Sequence, residues 1–165
     1  MSADWSLPSQ VFDFLAPRIR GLYVVELGSG KGSARLAQMC AELTSVEHDP
    51  DYVTLYPPDA RERGAKCIHA AIDPDTGWYS RAALVESLPR KIDAVIVDGP
   101  PGSIGRHGLM KHLDLFPDVP FLFDDTHRAA ERELAISYWK VRKGHHIGMF
   151  HLPDGRGFTA VGWEL

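Results

Sequence analysis

Short, nearly uninterrupted apolar runs alternate with stretches of helical spacing along almost the whole chain, and nothing else in the sequence limits the fold as tightly. Residues 22–27, 92–97 and 119–123 are the strongest runs, and weaker strands fit 44–47 and 66–71. Strands apolar on both faces belong to parallel sheets covered by helices on both sides. Between them, Leu36, Met39, Cys40 and Leu43 recur at helical spacing, as do Ala130, Leu134, Tyr138 and Val141. A parallel strand is reached only by a long connection, so the pattern predicts an α/β fold: a doubly wound, Rossmann-like, mostly parallel sheet with right-handed crossovers. Two final runs, 146–152 and 158–165, joined by Pro153-Asp154-Gly155-Arg156-Gly157, predict a C-terminal antiparallel hairpin. At 165 residues the expectation is one domain over 1–165, with its ligands at the carboxyl ends of the strands.

Charge narrows the partners. Lys and Arg number 18 against 22 Asp and Glu, so no basic field attracts nucleic acid or an anionic membrane. No run approaches the roughly 18 apolar residues of a membrane span, and the opening Met1-Ser2-Ala3-Asp4-Trp5 carries an acid and no apolar leader core. The two cysteines, Cys40 and Cys67, have neither metal-ligand nor C-x-x-C spacing, which suits small core residues in a reducing compartment. The expectation is a cytoplasmic protein acting on a small molecule or sugar.

After the first strong run comes Glu26-Leu27-Gly28-Ser29-Gly30-Lys31-Gly32-Ser33 and then a helical pattern. A glycine-rich turn at that place lets the backbone bend sharply and approach a ligand. It is not a P-loop, since Gly32 follows Lys31, and it misses the dinucleotide fingerprint because Ser33 stands at the third glycine position. Glu47 lies nineteen residues after Gly28 at the end of the second strand, where a carboxylate can accept both hydroxyls of a ribose. The plainer alternative is a tight turn and a solvated strand-end charge.

Here the sequence resembles the class I S-adenosylmethionine-dependent methyltransferases, through Val25-Glu26-Leu27-Gly28-Ser29-Gly30-Lys31-Gly32 and Val46-Glu47. The resemblance implies their sheet with its terminal antiparallel hairpin. It also implies that Glu26 and the turn Gly28, Ser29, Gly30 and Gly32 hold the methionine end of the cofactor and Glu47 its ribose. Adenine is expected near His48 and Ala71, with Asp98 also bordering the cofactor.

Two further strands end in acids: Val97-Asp98-Gly99-Pro100-Pro101 and Phe123-Asp124-Asp125-Thr126-His127. If these strands are neighbours, three carboxylates converge, and such a cluster needs a cation. Either a hard ion such as Mg²⁺ or basic side chains such as Arg106 and Arg128 would serve. The plainer reading makes Asp125 or Thr126 a helix N-cap and has Asp98 hold the Gly-Pro loop. The triad resembles that of metal-dependent O-methyltransferases, and Asp-Asp-x-His resembles macrolide-sugar O-methyltransferases, in which the histidine is the base. Asp-Gly-Pro-Pro-Gly resembles small bacterial methyltransferases of unknown substrate. The Asp/Asn-Pro-Pro-aromatic motif of nucleobase methyltransferases is absent. The expectation is O-methylation with a metal on Asp98, Asp124 and Asp125 and with His127 as base.

In a metal-free variant, Asp98 or His127 works unaided. Rival readings are a non-catalytic nucleoside-binding module and a nicotinamide oxidoreductase. The fold consumes the chain, so the acceptor pocket comes from loops at 73–80, 99–108 and 153–157 or from a second subunit of a homodimer. Trp78 and Tyr79 either cover the acceptor or pack, and the 99–108 loop is expected to be mobile and lid-like.

Overall fold

The apolar runs become strands, trimmed at their edges, in a computed structural model that describes residues 6–165. The first five residues, on which the leader reading rests, lie outside that range. The strands are β1 Tyr23–Leu27, β2 Glu42–Glu47, β3 Lys66–His69, β4 Ile72–Asp73, β5 Trp78–Tyr79, β6 Ala94–Val97, β7 Phe121–Phe123, β8 Ile147–His151 and β9 Gly157–Val161. The helices are α1 Ser9–Leu15, α2 Gly32–Met39, α3 Pro50–Thr54, α4 Pro58–Glu62, α5 Arg81–Ser87 and α6 Ala129–Val141. Among the described residues no helix is long and apolar enough to cross a membrane.

Seven strands form one sheet in the order β3-β2-β1-β6-β7-β9-β8. It is parallel from β3 through β7, and β9 then lies antiparallel between β7 and β8. The expected terminal hairpin is therefore present. Successive strands run outward from β1 to β3, and the chain then returns to β6 on the other side of β1. That reversal leaves a crevice beyond the carboxyl ends of β1 and β6, the usual ligand position in such sheets.

Pleating sorts the apolar residues onto two cores. Val95, Val97, Phe121 and Phe123 face one core with Trp78, Tyr79, Leu134 and Tyr138. Ala94, Ile96 and Leu122 face the other with Phe12, Leu36, Leu43 and Phe158. Leu43 thus belongs to strand β2 rather than to the preceding helix, which stops at Met39. In α6 the buried face is Glu131, Leu134, Ala135 and Tyr138, while Ala130 and Val141 point to solvent. Cys40 and Cys67 are unpaired and half-buried against the second core.

Between β6 and β7 the crossover carries two 3-10 turns, His107–Lys111 and Leu113–Leu115, in place of an α-helix. Its Gly-Pro portion is pinned at one end: Gly108 packs so closely on Trp78 that a Cβ there would lie 2.2 Å from the indole side chain. Trp78 and Tyr79 are fully buried, in a short antiparallel pairing with Ile72–Asp73, so packing claims the bulk of both rings.

The Phe121 ring stacks on Tyr138 with centroids 4.3 Å apart and is fully buried. Phe121→Ala is expected to lower unfolding free energy by about 3–5 kcal/mol. Urea denaturation checks this, and a loss under about 1 kcal/mol would contradict the packing described.

Candidate functional site

Two glycines fix the crevice. Gly28, after β1, has φ +91°, and a Cβ there would lie 2.8 Å from the Gly99 nitrogen. A Cβ on Gly99, after β6, would lie 2.6 Å from Gly28 Cα and 2.7 Å from Tyr79 Oη. The two turns therefore touch backbone to backbone, which only glycine permits. Gly32 serves a different contact, since its Cβ position faces Phe12 of α1 at 3.2 Å, whereas that of Gly30 is open.

The acids of β1 and β2 hold the same turn. Glu26 is buried, and its Oε2 accepts hydrogen bonds from Ser33 Oγ at 2.6 Å and Ser45 Oγ at 2.5 Å. Burial outweighs these bonds and pushes the Glu26 carboxyl up to about 7. Glu47 Oε2 accepts from Ser29 N at 3.1 Å and Ser29 Oγ at 3.0 Å. Its Oε1 accepts from His48 N at 2.7 Å and Asp49 N at 3.0 Å and meets His48 Nδ1 at 2.7 Å. Glu47 is thus an organised acceptor and not a solvated charge.

Asp98 ends β6, and Asp124 and Asp125 follow β7, so the strand pairing brings the three carboxylates together. One oxygen of each lies within 4.8 Å of the others. Asp125 adopts φ +61°, a left-handed conformation that aspartate tolerates better than most residues. Neither Asp125 nor Thr126 caps α6: its N-cap is Arg128, without a side-chain cap bond, and Thr126 Oγ1 accepts from Thr159 Oγ1 at 2.9 Å.

Three arginines surround the cluster. Arg106 Nη2 lies 3.1 Å from Asp125 Oδ2 and 3.6 Å from Asp98 Oδ1. Arg128 Nη1 lies 3.2 Å from Asp125 Oδ2, and Arg156 Nη2 lies 3.4 Å from Asp124 Oδ2. Asp124 Oδ1 is buried without a partner. Desolvation first and Asp124 second raise the Asp98 carboxyl well above its ordinary range, and desolvation and Asp125 raise Asp124. The all-oxygen donor set suits Mg²⁺ chemically, but a guanidinium nitrogen already lies 3.6 Å from Asp98 and 3.1 Å from Asp125, and Arg128 and Arg156 add positive charge beside Asp125 and Asp124. The arrangement as it stands does not fit a divalent ion, and the arginines answer the need for positive charge.

A cavity of about 610 Å³ opens in front of these groups, a size common for small-molecule sites. Gly28, Ser29, Glu47 and His48 line one end, Asp125, His127, Arg128 and Arg156 the other, with Asp98 and Tyr79 also on its wall. Glu26, Gly30, Gly32, Ala71 and Asp124 lie outside the lining. Ala71 is exposed, and its carbonyl accepts Ser80 N at 2.8 Å. His127 is exposed on the wall. Tyr79 Oη is buried without a partner.

Sequence reasoning missed Asp49 and Tyr52 as lining residues, and it placed Arg156 only within the 153–157 acceptor loop, without its ion pair to Asp124. The turn signal placed Arg156 in a hairpin loop, but its position beside Asp124 follows only from the pairing of β9 with β7.

No protein-family model and no curated protein matches the sequence. Solved structures share its fold. A precorrin-6y C5,15-methyltransferase of Geobacter metallireducens aligns over 100% of this chain and 93% of its own, with TM-score 0.68 and 11% identity. The O-methyltransferase TomG of Streptomyces achromogenes, in complex with SAM, aligns over 96% and 82%, with TM-score 0.64 and 14% identity. An rRNA methylase of Streptococcus thermophilus aligns over 92% of each chain, with TM-score 0.58 and 13% identity. The chain has the class I S-adenosylmethionine-dependent methyltransferase fold.

Folded Glu26 retains a proton that the unfolded chain loses near pH 4.5, so its contribution to stability falls as pH rises from there through about 7. The full loss is about 3 kcal/mol. Glu26→Gln keeps an oxygen for both serines and removes the titration. Its melting temperature is expected to decline less than that of the wild type between pH 5 and pH 8. Parallel declines in thermal scans would refute the assignment.

Proposed function

We propose that the protein is an S-adenosylmethionine-dependent methyltransferase acting on a hydroxyl of a small molecule or sugar, without a metal ion. The observation that carries the reading is one cavity reaching from the Glu47 carboxylate, past the Gly28–Gly99 contact, to Asp98. S-adenosylmethionine, when bound, supplies an electrophilic methyl group on a cationic sulfonium.

The residues divide the work. Backbone N–H groups of Ser29, His48 and Asp49 hold the Glu47 carboxylate. The Ser29 hydroxyl and the His48 ring are its rotatable partners, and both can yield to the hydroxyls of a ribose. Asp98 takes the proton of the acceptor hydroxyl onto its carboxylate. Burial raises its affinity for protons above that of an ordinary aspartate, the direction that strengthens a general base. His127, exposed on the acceptor side of the cavity, orients the hydroxyl. Alignment of acceptor and methyl donor supplies the larger part of the acceleration.

S-adenosylhomocysteine is expected to bind the wild type in calorimetry, and Glu47→Ala to weaken that binding at least tenfold. Absence of heat with the wild type would end the proposal. Asp98→Asn is expected to keep binding while losing about 10²–10⁴-fold in transfer of labelled methyl to a panel of hydroxylated acceptors, with His127→Ala losing less. The rate is expected to rise with pH from an onset well above the ordinary aspartate range, and EDTA is expected to leave it unchanged. Binding without transfer to any acceptor would favour a non-catalytic module.

A further inference from the structure

We propose that Arg106 is the resident cation of the carboxylate cluster, holding the position between the ends of β6 and β7 that a divalent ion would otherwise occupy. The inference concerns the site proposed above for methyl transfer and deepens that reading, but its test reads ion binding and stands whether or not a sulfonium cofactor binds.

A guanidinium has five N–H donors in a fixed planar fork. Arg106 uses that capacity on five acceptors. Nε donates to Pro100 O at 3.0 Å, and Nη1 to Val97 O at 3.5 Å and Asp124 O at 3.1 Å. Nη2 donates to Asp98 O at 2.8 Å and Asp125 Oδ2 at 3.1 Å. The side chain is 4% exposed. Such a group has no reason to swing into solvent, and its acceptors come from both strand ends at once. The turn from Asp98 through Gly105 brings the residue back against its own strand, with Gly105 N donating to Pro101 O at 2.9 Å.

An ion drawn to Asp98 and Asp125 would therefore meet a fixed positive charge. Arg128 and Arg156 complete the balance from the other side, on Asp125 and Asp124. Arg106 thus acts as a positioning residue: it holds Asp98 through both its backbone carbonyl and its carboxylate while keeping cations out. The opposing observation is Asp124 Oδ1, buried and unpartnered within the triad, which leaves one carboxylate oxygen there free to ligate an ion.

That atom supplies the control. Mn²⁺ binding is measured by electron paramagnetic resonance on the wild type, Asp124→Asn, Arg106→Gln and the double variant, and the readout is the binding that Asp124→Asn abolishes. The wild type is expected to show none up to about 1 mM Mn²⁺. Folded Arg106→Gln is expected to gain one such site, lost again in the double variant. Wild-type binding below about 1 mM that disappears in Asp124→Asn would overturn the proposal, as would a folded Arg106→Gln protein that gains no site. If Arg106→Gln does not fold, the wild-type comparison with Asp124→Asn still decides.

Discussion

The site depends on gathering three carboxylates at the ends of two neighbouring parallel strands without letting their repulsion open the sheet. Buried like charges are tolerated only where opposite charge and hydrogen bonds meet them at close range. Arg106 meets them from within the β6–β7 connection, and Arg128 and Arg156 from α6 and the terminal hairpin. Each arginine comes from a different segment, so the cluster also ties those segments together. The Gly28–Gly99 contact adds steric closure, because no side chain can stand between the turns after β1 and β6.

Two halves of the cavity follow from this frame. At one end, Glu47 is pre-oriented by the backbone N–H groups of Ser29, His48 and Asp49, with the Ser29 hydroxyl and the His48 ring as its side-chain partners. At the other, Asp98 stands where the balanced charge network meets the open space, with a proton affinity raised by burial. The precorrin, O-methyl and rRNA methylases that share the fold show that one sheet accommodates very different acceptors. In this chain the cavity wall opposite Glu47 is built by Asp98, Pro101, Gly102, Arg106, Asp125, His127, Arg128 and Arg156.

Much of the sheet was legible in the residues. Continuous apolar runs at β1, β6 and β7 marked strands covered on both faces, and the Pro-Asp-Gly-Arg-Gly turn marked the hairpin. Boundaries were less legible: Leu43 continues a helical spacing with Leu36, yet tertiary pairing with Val24 draws it into β2. The Gly-Pro segment 99–108 reads as a free loop because nothing local distinguishes a pinned turn from a mobile one. Its restraint comes from Arg106 acceptors and from Trp78, which lies thirty residues before Gly108 in the chain. Likewise, Trp78 and Tyr79 carry no local sign that both rings end in the core.

By itself, the sequence determined the alternating α/β plan, the glycine turn, the acids at four strand ends and the hairpin, because each of these is written in local periodicity and turn chemistry. Only the tertiary structure decided what the acids do. Strand pairing brings Asp98 beside Asp124 and Asp125, and long-range contacts bring Arg106, Arg128 and Arg156 against them, so that guanidinium groups balance the charge. Electrostatic compensation acts through space between residues distant in the chain, and no one-dimensional pattern records which partner arrives.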